Sequence, residues 1–371
     1  MKLPDFQIER FFARYEFSTE LLLCASDCQS MSVSELLSLE PGAAERLAQL
    51  WLGYTESRGS PSLRREISRL YRTVSSDQVL VHPGAEEGIF LCMHAALQPG
   101  DHMIVQVPCY QSLHEIARGI GCDVSGWVLR EENGWAPDPQ ELERLLRPST
   151  KLIVMNTPHN PTGYHLPEGV LRHLCALADE RGIILFCDEV YRGLEHQVED
   201  RVPSACDLSP RAVSLGVLSK AYGMGGLRIG WIAARDRALL SRIESLKDYT
   251  TICASAPSEL LAEIVLRHGE FIIDRNRTLI LDNLALLRGF FGRHPDLVSW
   301  QPPKAGPIAF PKLLRGNAEE LCPRIARECG VLLLPGTVYG DQDNHVRIGF
   351  GRANLPQALA RLEEWLSRSI D

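Results

Sequence analysis

The 371-residue sequence has no run of four or more lysines and arginines, and its 39 basic residues are outnumbered by 47 acidic ones. The formal net charge is −8. Nucleic acids and anionic membranes are gripped through basic patches, so neither is an expected partner. No stretch approaches the roughly 18 uninterrupted apolar residues of a membrane span, and Met1-Lys2-Leu3-Pro4-Asp5 lacks the apolar core of an export signal. The eleven cysteines show no metal-ligand spacing. The closest pair, Cys24 and Cys28, has no second pair to match it, so no metal site is expected. Cys92, Cys187 and Cys253 sit inside apolar runs, the pattern of buried free thiols in a reducing cytoplasm. There is also no internal repeat and no low-complexity linker.

What remains is an ordinary globular composition, 45% apolar and 23% charged. A chain this long exceeds what one hydrophobic core usually serves. Two domains are therefore expected: a large one over residues 41–256, and a small one in which an N-terminal arm, 1–40, joins 257–371. Ser60 as N-cap and Pro61 behind it open a helix carrying Leu63, Ile67 and Leu70 on one face. Strands and helices then alternate. The strands Gln78–Val81, Met103–Val107, Leu152–Met155, Ile183–Cys187 and Ala212–Leu218 are near-continuous apolar runs. That rhythm predicts an α/β fold, a three-layer αβα arrangement around a mostly parallel sheet. Past residue 256 the pattern changes to a long helical segment (257–293), short strands near 308–312 and 345–349, and a last helix carrying Leu355, Leu359, Leu362 and Trp365. This predicts a smaller α+β unit.

Parallel sheets bind ligands at the carboxyl ends of their strands. Four polar features fall there. Gly84-Ala85-Glu86 joins a strand to a helix amino end, a seat for a phosphate. Asn160 follows the strand ending at Met155, and Asp188 ends the next. Lys220 lies in a glycine-rich connection, Ser219 to Arg228, between two buried strands. Each alone reads as a turn, a loop former, a strand-end cap or a solvated charge. Together, in this order, they point to chemistry.

At these motifs the chain resembles the fold-type I pyridoxal-phosphate enzymes, in particular the class I/II aminotransferases. The resemblance rests on Gly53-Tyr54…Gly59…Leu63-Arg64, Asn156-x-Pro-x-Asn160-Pro-Thr-Gly, Asp188-Glu-x-Tyr191, Ser219-Lys220 with Arg228, and Pro335-Gly336…Gly340 with Arg347. It implies pyridoxal 5'-phosphate as cofactor and an α-amino acid and a 2-oxo acid as small-molecule partners. Lys220 would hold the cofactor as a Schiff base and then move the Cα proton, with its pKa depressed by nearby positive charge, Arg228 included. Asp188 would face the pyridine nitrogen, Asn160 and Tyr191 the phenolate oxygen, and Tyr110 the ring face. The phosphate would take N–H groups of Ala85 and Glu86 after Gly84, with Ser219 and Arg228. Tyr54 would reach it from a second subunit, which implies a homodimer. Arg347 would clamp the substrate α-carboxylate, with Asn160 beside it; Arg352 is the alternative clamp.

Two departures stand out. Val217 occupies a place where the family usually has a hydroxyl residue, and Glu86-Glu87 sets two acids beside a phosphate, where they are expected to point away along the helix. The stretch Phe6 to Phe17 also resembles the arm of capreomycidine-synthase-like enzymes, which eliminate water from hydroxylated arginines and cyclise them. Glu9 or Glu16 could pair there with a guanidinium; a solvated helix face explains them equally well. A non-enzymatic cofactor-binding regulator is disfavoured, because no basic recognition helix precedes the motifs.

Overall fold

The computed structural model describes residues 2–369 apart from Gln342. The chain begins with α1 (Gln7–Tyr15), β1 (Leu21–Leu22), α2 (Val33–Ser38), α3 (Ala43–Ala48) and α4 (Pro61–Ser68). Next come β2 (Val79–His82), α5 (Ala85–Ala96), β3 (His102–Val107), α6 (Ser112–Ile120), β4 (Asp123–Val128), α7 (Pro139–Leu145) and β5 (Thr150–Asn156). After α8 (Glu168–Arg181) follow β6 (Ile184–Asp188), α9 (Ala205–Leu208), β7 (Ala212–Val217), β8 (Gly230–Ala234), α10 (Arg237–Lys247), α11 (Ala256–Arg267) and α12 (Gly269–Arg293). The remainder is β9 (Val298–Ser299), β10 (Ile308–Ala309), β11 (Lys312–Leu313), α13 (Ala318–Cys329), β12 (Val331–Leu332), β13 (Leu334–Pro335), β14 (Val346–Gly349) and α14 (Leu355–Ser369).

Seven strands form one sheet in the order β2-β8-β7-β6-β5-β3-β4, and only β8 runs against its neighbours. The alternating sides of each strand explain why these runs are apolar throughout. Met103, Val105, Leu152, Val154 and Phe186 pack into one core with α4, α5 and α6. Ile104, Ile153, Met155, Leu185 and Cys187 pack into another with α7 and α8. Both faces are covered, so neither side of a strand needs polar residues. Ser60 caps α4 as expected, its hydroxyl accepting the Leu63 N–H at 3.3 Å.

Three features differ from expectation. The edge strand β4 went unseen because Asp123, Ser125 and Gly126 break the apolar run, and of its residues only Trp127 is buried. The 257–293 segment is two helices, since His268 leaves helical geometry (φ −106°, ψ 20°). Gly269 lets the turn approach Tyr222, whose ring would lie 3.2 Å from a Cβ there. Cys253 is only half-buried, although Cys92 and Cys187 are fully enclosed; all eleven thiols are free.

The arm is woven into the C-terminal part. β1 pairs in parallel with β12, while β14 lies between β10 and β13. Among the described residues no helix is long and apolar enough to cross a membrane.

Candidate active site

The carboxyl ends of β2, β5, β6 and β7 open on one cavity of about 350 Å³. Its wall includes Asp188, Asn160, Tyr191, Lys220, Arg228 and Arg347. Asp188 is the last residue of β6 and 6% exposed. Among the described residues its carboxylate takes one hydrogen bond, at Oδ1, from the Val190 N–H at 3.2 Å. Burial pushes this carboxyl up to about 7, against the opposing pull of that N–H and of Lys220.

Asn156 ends β5 and fixes the next loop at both ends. Its Nδ2 donates to the Asp188 carbonyl at 2.8 Å, and its Oδ1 accepts the Asn160 N–H at 2.6 Å. The Asn160 Oδ1 accepts from the Tyr339 hydroxyl at 3.1 Å and from Arg347 Nη1 at 3.3 Å. With that oxygen committed, the Asn160 Nδ2 is the group left to donate into the cavity. Arg347, 2% exposed, donates from Nε and Nη2 to the Cys24 carbonyl at 3.1 and 2.8 Å, and from Nη1 also to the Tyr339 hydroxyl.

Lys220 reaches back to the arm, where its Nζ donates to the Ser26 hydroxyl at 2.9 Å. Burial lowers its pKa. Asp27 raises it, and Arg347 is the cationic neighbour that lowers it further. Arg228, expected to depress this amine, has its guanidinium beside Gly84, and Arg347 outweighs it as the cationic neighbour. A Cβ at Gly84 (φ +84°) would fall 2.5 Å from Arg228 Nη2, and one at Gly230 would fall 2.7 Å from the Gly84 carbonyl. Glycine at both positions lets the amino end of α5, which has no side-chain cap, come up against the guanidinium.

Glu86 and Glu87 part company. Glu87 points away as expected, accepting from Thr251 at 2.8 Å and lying 3.3 Å from His82 Nδ1. Glu86 does not; it lines the cavity and accepts from Ser112 Oγ at 3.1 Å. The helix turn that sends one side chain outward rotates its neighbour inward by about 100°. Tyr110 lines the cavity with its ring packed on Phe6, centroids 4.9 Å apart. The α1 helix contributes Ile8, Glu9 and Phe12 to the wall, whereas Glu16 is not part of the lining. Tyr54 is 86% exposed, and Arg352 is taken up by Asp27 in a two-pronged pair at 2.9 Å. Sequence reasoning missed Ser26, Asp27 and Tyr339; the first two carry no motif, and all three come from outside the sheet.

The model of the family "Aminotransferase class I and II" matches residues 19–362. The chain belongs to that family. It is similar to capreomycidine synthase of Streptomyces vinaceus, 31% identical over 98% of this chain and 94% of that protein. Among solved structures it resembles a PLP-dependent aminotransferase from Streptococcus suis 89-1591 (TM-score 0.93, 34% identity, 99% of both chains). It also resembles the PLP-dependent cyclase OrfR (TM-score 0.91, 30% identity, 99% of this chain and 98% of that one).

The fold is that of the fold-type I pyridoxal-phosphate enzymes, and pyridoxal 5'-phosphate is the cofactor of this family. The cavity suits it: an uncapped helix end facing a guanidinium across Gly84, a buried carboxylate with a spare oxygen, and an amine of lowered basicity.

Proposed function

We propose that the protein is an aminotransferase for an α-amino acid with a positively charged side chain, acting as a homodimer. The observation that supports this is the meeting of Lys220, Asp188 and Arg347 in one cavity with Glu9 and Glu86. Bound cofactor supplies an electrophilic aldehyde carbon and a ring that takes up the electron pair left when a bond to Cα breaks.

The chain's own groups do the rest. The N–H groups of Ala85 and Glu86, the Ser219 hydroxyl and the Arg228 guanidinium would hold the phosphate. Asp188 would keep a proton on the ring nitrogen, Asn160 and Tyr191 would donate to the phenolate oxygen, and Tyr110 would pack against the ring. Lys220 Nζ would hold the aldehyde carbon and, once free, would be the base that carries the Cα proton from substrate to cofactor; its lowered basicity leaves more free amine at neutral pH. Arg347, already oriented by the Cys24 carbonyl and Tyr339, receives the α-carboxylate and so sets which Cα bond faces the ring. Glu9 and Glu86 receive the positive side chain.

The homodimer reading is supported by a cluster of exposed apolar residues around Tyr54: Trp51 (79%), Leu52 (78%), Tyr249 (91%) and Ile252 (52%). A patch of this kind calls for a partner surface, and Tyr54 would then reach the second copy's phosphate.

A second reading is elimination of water and ring closure on a hydroxylated, arginine-like amino acid. Glu86 favours it, because a carboxyl pushed up to about 7 by burial carries a proton to leave with a hydroxide at neutral pH. The full-length similarity to capreomycidine synthase points the same way.

Incubating the holoenzyme with arginine or hydroxylated arginine, with and without pyruvate or 2-oxoglutarate, separates the two. Conversion that needs the keto acid is the expected result. Water loss without an acceptor replaces transamination by cyclisation. Lys220→Ala removes turnover in either case, and persistent turnover in that variant rejects both.

A further inference from the structure

Behind the active-site wall lies a second, larger cavity of about 800 Å³. The two share Val190 and Val217 as a partition. The turn after β6 therefore divides by side: Asp188 and Tyr191 face the front cavity, Glu189 and Arg192 the rear one. The rear is walled by the aromatic side chains Tyr71, Tyr222, Trp231 and Phe271 and by several arginines.

Most of its charges are already spoken for. Glu189 accepts from Ser204 at 2.6 Å and from the Ala205 N–H and Ser214 at 2.8 Å. Arg201 pairs with Glu195 at 3.2 Å, Arg69 with Glu66 at 2.6 Å and Arg267 with Glu40 at 2.9 Å. Two groups are not. Tyr222 is 6% exposed, and among the described residues its hydroxyl makes no hydrogen bond. The Arg192 guanidinium makes one long bond, from Nη1 to the Leu70 carbonyl at 3.4 Å, and its Nε has no partner. Of the two, only the Arg192 Nε is sealed from solvent without a partner; the rest of this half-buried guanidinium and the phenol hydroxyl keep donors free for a ligand. The 25-residue helix α12 also starts on this cavity, and His268 at its N-cap gives no side-chain cap. Its first N–H groups add a third set of donors aimed at negative charge.

We propose that this rear cavity binds a small aromatic anion, an aryl phosphate or aryl carboxylate. Its charged group sits among Arg192, Tyr222 and the amino end of α12, and its ring lies against Trp231 and Phe271. Trp231 Nε1 is already committed to the Tyr71 hydroxyl at 2.7 Å, so the ring is held by aromatic faces, not by hydrogen bonds. The site is separate from the cofactor seat and does not depend on which reaction the front cavity performs.

The test is calorimetric titration of the holoenzyme, in which cofactor fills the front phosphate seat, with phenyl phosphate, benzoate and inorganic phosphate. One phenyl phosphate or benzoate per chain is expected, bound more tightly than inorganic phosphate. Arg192→Gln should weaken that binding about tenfold or more, and Tyr222→Phe, which removes one oxygen, by a few-fold. Should Arg192→Gln fail to fold, Tyr222→Phe decides. Absence of binding by the unaltered protein overturns the proposal, as does an affinity that the variants leave unchanged. Equal affinity for inorganic and phenyl phosphate overturns its aromatic part.

Discussion

Two acidic doublets, Glu86-Glu87 and Asp188-Glu189, show how differently this molecule treats its two sides of one wall. In each, the first residue faces the front cavity and the second turns away from it. Glu87 is met by His82, Thr250 and Thr251, and although burial works against it, these bonds pull its carboxyl down to about 2. Glu189 is met by two hydroxyls and a backbone N–H. Among the described residues the Glu86 carboxyl has Ser112 alone and the Asp188 carboxyl the Val190 N–H alone; burial pushes both up to about 7. The satisfied carboxylates tie elements together. The unsatisfied ones hold negative charge in reserve for a ligand that brings the complement.

The sharpest break of this comparison comes from the Asp188-Glu189 pair. Asp188→Asn should lower kcat by about 10²–10³-fold, the usual scale for losing one aimed electrostatic group, with little change in melting temperature. Glu189→Gln should do the reverse. It leaves buried hydroxyls of Ser204 and Ser214 mismatched, lowers stability by about 1–3 kcal/mol, and spares kcat in the folded fraction. Steady-state kinetics and thermal melts on both variants check this. Two variants with the same profile would remove the distinction.

The Glu86-Glu87 pair makes a prediction of opposite slopes with pH. The Glu87 carboxyl lies below the ordinary glutamate value near 4.5, so its contribution is present above that value and lost as pH falls toward about 2. The amount at stake is up to about 3 kcal/mol. Glu86 lies above the ordinary value, so its ionisation weakens the cofactor-free fold as pH rises from about 4.5 through about 7. Denaturation of the apoprotein across pH 3 to 8 should therefore show Glu87→Gln losing the acid-side dependence. Glu86→Gln should be more stable than the parent at pH 8 and equal to it at pH 4.

Much of this contrast was beyond the reach of the sequence, for a definable reason. Runs such as Met103–Val107 and Ile183–Cys187 announce buried strands, and Ser60-Pro61 announces a helix start, because these signals are local. The strand-end residues Asn160, Asp188 and Lys220 were legible through motif order, and the sheet brings them to one edge. Ser26 meets Lys220 across 194 positions and Tyr339 meets Asn160 across 179, with no local pattern marking either. Glu86 and Glu87 are chemically alike in a string of letters. Only the packing of α5 against Ser112 on one side and the Thr250-Thr251 turn on the other tells them apart.

The smallest expected effect isolates that packing. Ser112 gives the Glu86 carboxyl its one hydrogen bond among the described residues, and that bond lowers a carboxyl which burial, Glu9 and Asp188 raise. Ser112→Ala should therefore raise the Glu86 pKa further, by about one unit or less, since a neutral donor is worth about 1 kcal/mol. Following the Glu86 carboxyl by ¹³C NMR in the apoprotein reads this directly. The same variant should weaken binding of a cationic amino acid near pH 7.5 while leaving a neutral one untouched, because less of Glu86 is then ionised. A Glu86 titration that does not move means that Ser112 is not what steadies the inward carboxylate, and the difference between the two neighbours then lies in burial alone.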